Sequence, residues 1–142
     1  MKHLILTSAI VAAFAAPVGA ETLTIGTATA QTGGLAYADV PTMQGMKLAI
    51  DEINAAGGID GATKIALLEK DVRSDPAQTS IAAQELADAG VSVIVLPGDS
   101  DPALAAIGVV SSAKIPAIST VASSPTLPQI GGDYMFSNFP GD

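Results

Sequence analysis

The sequence predicts an α/β fold, a three-layer doubly wound parallel sheet, on three observations. From Thr22 onward, short β-rich or apolar runs alternate with segments of helical period. Residues 91–96 (VSVIVL) form a continuous apolar run, the pattern of a strand buried on both faces. Two Ser-Asp-Pro triplets, Ser74-Asp75-Pro76 and Ser100-Asp101-Pro102, supply helix starts just after predicted strands. Alternation of this kind implies right-handed crossovers and helices on both faces of the sheet.

Taken in order, residues 1–20 read as a cleavable export signal. Lys2 and His3 give a basic start, residues 4–16 an apolar run, and Pro17-Val18-Gly19-Ala20 a small-residue exit before Glu21. The run is short for a bilayer span. Residues 22–27 (TLTIGT) are a first strand, and residues 28–39 (ATAQTGGLAYAD) a loop of small and polar residues. Met43, Met46, Ile50 and Ile53 fall at helical spacing within residues 41–56, with Gly57-Gly58 as the stop. Residues 64–71 (KIALLEKD) fit a second strand. A helix over residues 76–89 takes Asp75 as N-cap and Pro76 at its first position, and ends at Gly90. The run at 91–96 is the third strand, a helix spans 100 to about 114, and residues 115–119 are the fourth strand. Ser124-Pro125 opens one further turn, and residues 134–137 are a fifth strand. No helix follows before Asp142, so the sequence is expected to be the front of a longer protein, with an unfinished outer layer.

Composition narrows the chemistry. The chain has no cysteine, and its one histidine, His3, lies in the signal. The exported product therefore works without imidazole or thiol, the commonest general base and the strongest neutral-pH nucleophile. Binding is the default expectation, with no cofactor and no metal. There are 14 acidic and 6 basic residues, and loss of Lys2 takes the formal charge from −8 to −9. An acidic chain without a Lys/Arg cluster is a poor partner for nucleic acid or an anionic membrane. No second long apolar stretch follows the signal, so no membrane insertion is expected after cleavage. Stability must come from burial, because no disulfide is possible.

In open parallel sheets ligands sit beyond the carboxyl ends of the strands, where strand order reverses. The loops expected there are residues 28–39, 97–101 and 120–124. Pro97-Gly98-Asp99-Ser100 runs into a helix N-terminus, where free N–H groups favour an anion and Ser100 adds a hydroxyl. Helix capping by Ser100 or Asp101 is the competing reading, and the charge of Asp99 opposes an anion. Residues 119–125 (STVASSP) offer carbonyls and hydroxyls to a head group, or form a plain Ser-Pro turn. Tyr37 is either a lid over a ligand or packing between loops. Gln31-Thr32-Gly33-Gly34 matches no dinucleotide or phosphate-loop pattern. Asp51 and Glu52 belong on a solvated face, while Asp71 and Asp75 cap turns and helices.

Residues 46–61 (MKLAIDEINAAGGIDG) carry a long helix-and-turn signature, followed in order by DVRSDPAQ at 71–78, SDPALA at 100–105 and IPAISTVASSPTL at 115–127. On these segments the chain resembles the periplasmic substrate-binding proteins of branched-chain amino-acid ABC transporters, the leucine/isoleucine/valine-binding type, from about Thr22 to the last residue. The resemblance implies the first lobe, incomplete, of a type I periplasmic-binding-protein fold over residues 21–142, with a second lobe absent. It implies that Ser100 meets the ligand's α-carboxylate and that Ala122 and Ser123 hold the amino-acid head group. Gly98 and Asp99 would line the same loop, and Tyr37 would lie in the ligand-covering loop. The family's glycine after that aromatic is Ala38 here, its usual Ser-Gly is Ser100-Asp101, and its Gly-Pro is Gly33-Gly34. The expected function is capture of an amino acid, small amide or carboxylate in the periplasm for delivery to ABC permease subunits. A sensory domain of the same fold is the alternative. An exported α/β hydrolase stands third, without the G-x-S-x-G elbow it would need.

Overall fold

The computed structural model describes residues 21–140; the expected signal segment lies outside them. Along the chain run β1 (Thr22–Thr29), α1 (Ala36–Ala55), β2 (Lys64–Asp71), α2 (Pro76–Asp88), β3 (Val93–Leu96), α3 (Ser100–Ala113), β4 (Ala117–Ser119), α4 (Thr126–Gly131) and β5 (Met135–Ser137), with a 3₁₀ turn at Gly132–Tyr134. All strand pairs are parallel, in the order β2-β1-β3-β4-β5. The chain steps one way from β1 to β2 and the other way ever after. The reversal falls between β1 and β3.

Two salt bridges show how the layers divide. Glu69 and Lys70 are successive residues of β2 and so point to opposite faces. Glu69 pairs with Lys47 of α1 at 2.8 Å, whereas Lys70 pairs with Glu85 of α2. Helix α1 therefore lies on one face, and α2 lies on the other, beside α3 and then α4. The main core sits under those three helices, around Leu86, Ile94, Leu96, Val110, Leu127 and Met135. Right-handed crossovers dictate this imbalance, because only the step from β1 to β2 places a helix on the α1 face. The expectation of helices over both faces is thus met at β2 and β1 and thins toward β5. In the register row Val95–Ile118–Phe136, Val95 is buried and Phe136 is 51% exposed.

Several boundaries differ from expectation for local reasons. β1 runs two residues past Thr27, because β2 pairs with it as far as Thr29–Asp71. β3 and β4 start two residues late. Val91 and Ile115 are instead held by their amides to Leu86 and Val110, closing the ends of α2 and α3. Gly90 and Lys114 provide the left-handed residue at those two ends, with φ of 72° and 55°. Asp75 caps α2 as expected, accepting from the Gln78 amide at 2.8 Å, with Pro76 next.

On the α1 face of β1, Thr27 is buried beside Val95, yet its hydroxyl has no hydrogen-bond partner; the Thr29 hydroxyl is in the same state. A buried unpaired hydroxyl costs free energy that an isosteric methyl does not. Thr27→Val should therefore raise the unfolding free energy by about 1 kcal/mol in urea denaturation. A lower midpoint would show that this hydroxyl is paired.

Candidate functional site

Helix α1 begins five residues before the expected Pro41, and this earlier turn builds the site. Pro41 sits inside the helix, where it removes one amide donor and sets its ring against the Tyr37 carbonyl. The added turn carries Asp39 inward until it is 2% exposed. One of its carboxylate oxygens, Oδ2, accepts from the Ala30 amide at 2.7 Å, and Oδ1 accepts from the Gly98 amide at 2.8 Å. Asp39 thereby joins the end of β1 to the loop after β3, across the strand-order reversal. Burial pushes its carboxyl above the usual carboxylate range, against the two amide bonds that lower it, and the nearby Asp99 charge adds to the rise. A Cβ on Gly98 would lie 2.9 Å from Oδ1 of Asp39 and 3.1 Å from Cβ of Val121, so this contact excludes a side chain at position 98.

The loop after β1 is tied down by Asp71 at the end of β2. Its carboxylate accepts from the amides of Gln31, Thr32 and Arg73 at 2.9–3.1 Å and from the Thr32 hydroxyl at 2.6 Å. Desolvation would raise its pKa, but these four donors outweigh it, and the group lies below the usual range. Asp71 thus serves turn formation, as expected. A depressed pKa means stabilisation that is present above the unfolded-state value near 3.9 and is lost as pH falls through the folded value. Asp71→Asn should therefore flatten the fall of stability below about pH 4, measured by urea unfolding across pH. An unchanged slope would count against the four-donor knot. Asp39 has the opposite sign. Its raised pKa makes ionisation costly in the fold, and that cost is relieved as pH falls through the folded value.

These contacts frame an open cleft of about 260 Å³, lined by Leu35, Tyr37, Asp39, Gly98, Asp99 and Val121. It draws on the carboxyl-end loops of β1, β3 and β4. Three of the six expected residues, Tyr37, Gly98 and Asp99, line it. Tyr37 is in the first turn of α1 rather than in a loop, and is 78% exposed. Ser100 opens α3 behind the N-cap residue Asp99, and no side chain caps that helix by a hydrogen bond. The first amides of α3 are thus left without intrahelical acceptors. Ser123 lines a neighbouring cavity of about 400 Å³ with Ser124, Pro128, Gln129, Ser137 and Phe139. Ala122 is buried between the two; its carbonyl accepts from the Ser137 hydroxyl at 3.2 Å and its amide donates to Ser119 Oγ at 3.3 Å. The six expected residues therefore occupy one rim but do not line one cavity.

Asp39, Ser119 and Val121 fell within the segments expected at the strand ends, but sequence reasoning gave none of them a role of its own. For Asp39 a signal existed. Continuing the period of Met43, Met46 and Ile50 back by one turn puts position 39 on the inner face of α1. Among the described residues no group of three His, Cys, Asp or Glu side chains is placed to hold a metal, and no helix is long and apolar enough to cross a membrane. The cleft presents the Tyr37 hydroxyl and the Asp39 and Asp99 carboxylates, and α3 starts directly after Asp99. This is the equipment for holding a small polar molecule, as expected of a doubly wound sheet at its reversal point.

The chain belongs to the periplasmic binding protein family, whose model matches residues 22–142. It is 32% identical over 127 residues to the Leu/Ile/Val-binding protein BraC3 of Rhizobium johnstonii, covering 89% of this chain and 34% of that protein. The solved structure of the branched-chain amino acid transporter substrate-binding protein LivJ of Streptococcus pneumoniae, in complex with isoleucine, is similar at TM-score 0.79 and 36% identity. That match covers 84% of this chain and 34% of the other. A solute-binding protein of an ABC transporter from Rhodopseudomonas palustris, in complex with 3,4-dihydroxy benzoic acid, is similar at TM-score 0.69 and 28% identity, covering 82% and 32%. The chain spans about a third of the length of these relatives.

Proposed function

We propose that this chain is the first-lobe portion of an extracytoplasmic solute-binding component of an ABC importer, which captures a branched-chain or related amino acid, or a small carboxylate. Residues 1–20 serve as its export signal, residues 21–142 belong to the ligand-binding lobe, and the protein works in the periplasm with inner-membrane permease subunits as partners. The observation that carries this reading is the cleft at the strand-order reversal, in a chain whose similar structures hold isoleucine or a benzoic acid. Within the site, the amides at the start of α3 and the Ser100 hydroxyl receive the ligand's carboxylate. Ser123, from the neighbouring cavity on the same rim, and the Ala122 backbone hold the rest of the head group, and Tyr37 covers the opening. The task is capture, with closure of two lobes around the ligand favoured by the closed state's extra contacts. Isothermal titration calorimetry on the full-length mature protein, with a panel of aliphatic amino acids, amides and aromatic acids, tests this. Binding of one panel class is the expected result; no heat from any member would overturn the proposal.

A further inference from the structure

A single peptide group at the site is held from both ends. The amide of Gly98 donates to Asp39 Oδ1 at 2.8 Å, and the carbonyl of Pro97, on the other side of the same peptide plane, accepts from the Ser119 hydroxyl at 3.1 Å. Asp39 comes from α1, 59 positions away in sequence, and Ser119 from the end of β4. Both side chains are buried, Asp39 at 2% and Ser119 at 0% exposure. A flip of this peptide would turn a carbonyl toward the Asp39 carboxylate, which has no proton to donate, so the Asp39 contact enforces one orientation, and the Ser119 hydroxyl, able to donate or accept, adds a second tether. The same atoms reach further. Asp39 Oδ2 takes the Ala30 amide, Ser119 Oγ takes the Ala122 amide, and the Ala122 carbonyl takes the Ser137 hydroxyl. One hydrogen-bonded chain thus runs through all three loops, with the Pro97–Gly98 peptide at its centre, two residues before Ser100.

We infer that Asp39 and Ser119 are positioning residues, which pin the Pro97–Gly98 peptide so that the donors at the start of α3 meet a ligand in one fixed geometry. This rests on the solute-binding reading above. Neither residue need touch the ligand. Fixed donors avoid the ordering cost that a loose turn would incur at each binding event. A carboxylate is suited to the place because both oxygens accept, whereas an Asn amide would face one of the two N–H groups with N–H of its own. Around Asp39, the cleft presents Asp99 from the β3 loop and Tyr37 from α1; Val121 and Ala30 contribute no charge. Neither of the two salt bridges found among the described residues involves Asp39. Protonation removes one acceptor, so acid loosens the pin.

The test uses the full-length mature protein, with Asp39→Asn, Ser119→Ala and the double variant. L-isoleucine and 3,4-dihydroxybenzoate are titrated calorimetrically between pH 5 and 8. Each single variant is expected to weaken binding of the recognised probe about tenfold or more. The double variant should lose less than the sum, because both act on one peptide. Wild-type affinity should fall toward acid and the Asp39→Asn profile should be flatter. Wild-type affinity and pH profile in both single variants would overturn the inference. A second readout needs no ligand. In ¹H–¹⁵N spectra of the unliganded protein, the Ala30 and Gly98 amides should titrate with one shared midpoint, lost in Asp39→Asn; separate midpoints would also overturn it. If neither probe nor any panel member binds the wild type, the solute-binding reading fails. The amide titration then decides the pinned peptide by itself.

Discussion

Leu86→Ala should lower the unfolding free energy by about 3 kcal/mol, a large share of what a domain of this size holds. Leu86 is fully buried on α2, against β1. Its position is shaped by Gly26. A Cβ on Gly26 would stand 2.9 Å from Leu86 Cδ2 and 3.1 Å from Val91 Cγ2, so the glycine lets the helix approach β1 closely. Gly26→Ala alone should therefore destabilise by about 1–3 kcal/mol through overpacking. In the Leu86→Ala background the added methyl enters the vacated space, and the same change should cost less or become favourable. Urea denaturation of the two single variants and the double variant measures this coupling. Strict additivity would show that α2 does not meet β1 through this pair.

Asp39→Ala is the second large effect, with an expected loss of about 2 kcal/mol in the same measurement. The substitution strips two amides of their acceptor at once: that of Ala30, which is fully buried, and that of Gly98. Relief of the carboxylate's burial partly offsets the loss at neutral pH. That offset shrinks in acid. Because the folded Asp39 carboxyl is shifted upward, the wild type gains stability as pH falls through the folded value, and the alanine variant does not. The gap between wild type and variant should widen from pH 7 toward pH 4. A gap that closes over that range would contradict the direction of the shift.

Much of the fold was legible because its signals are local. β2 was read with its observed bounds, since the KIALLEKD run is framed by turn residues on each side. The start of α2 was read to the residue, because Asp75 and Pro76 act within one turn of chain. The start of α1 was not legible. Pro41 is a usual first helical residue, and what extends the helix back to Ala36 is contact at a distance. Asp39 reaches the Ala30 and Gly98 amides, and the Leu35 amide donates to Ser74 Oγ at 2.9 Å. The same holds for the site. Gly98 and Asp99 lie at the cleft because they follow a strand end, a rule of topology, whereas Tyr37 reaches it from the first turn of α1. That Ser123 opens onto a different cavity, and that the Ala122 carbonyl already serves Ser137, depends on how β5 lies beside β4.

The sequence by itself determined the alternation of strands and helices, the capped start of α2 and the three loops on which the site is built, because period, caps and turns are written within a few residues. Only the tertiary structure decided that Asp39 faces inward to hold one peptide of the β3 loop, and that the α1 face thins toward β5. Both follow from strand order, which sets which loops meet and on which face each crossover lands. No window of the chain contains that information.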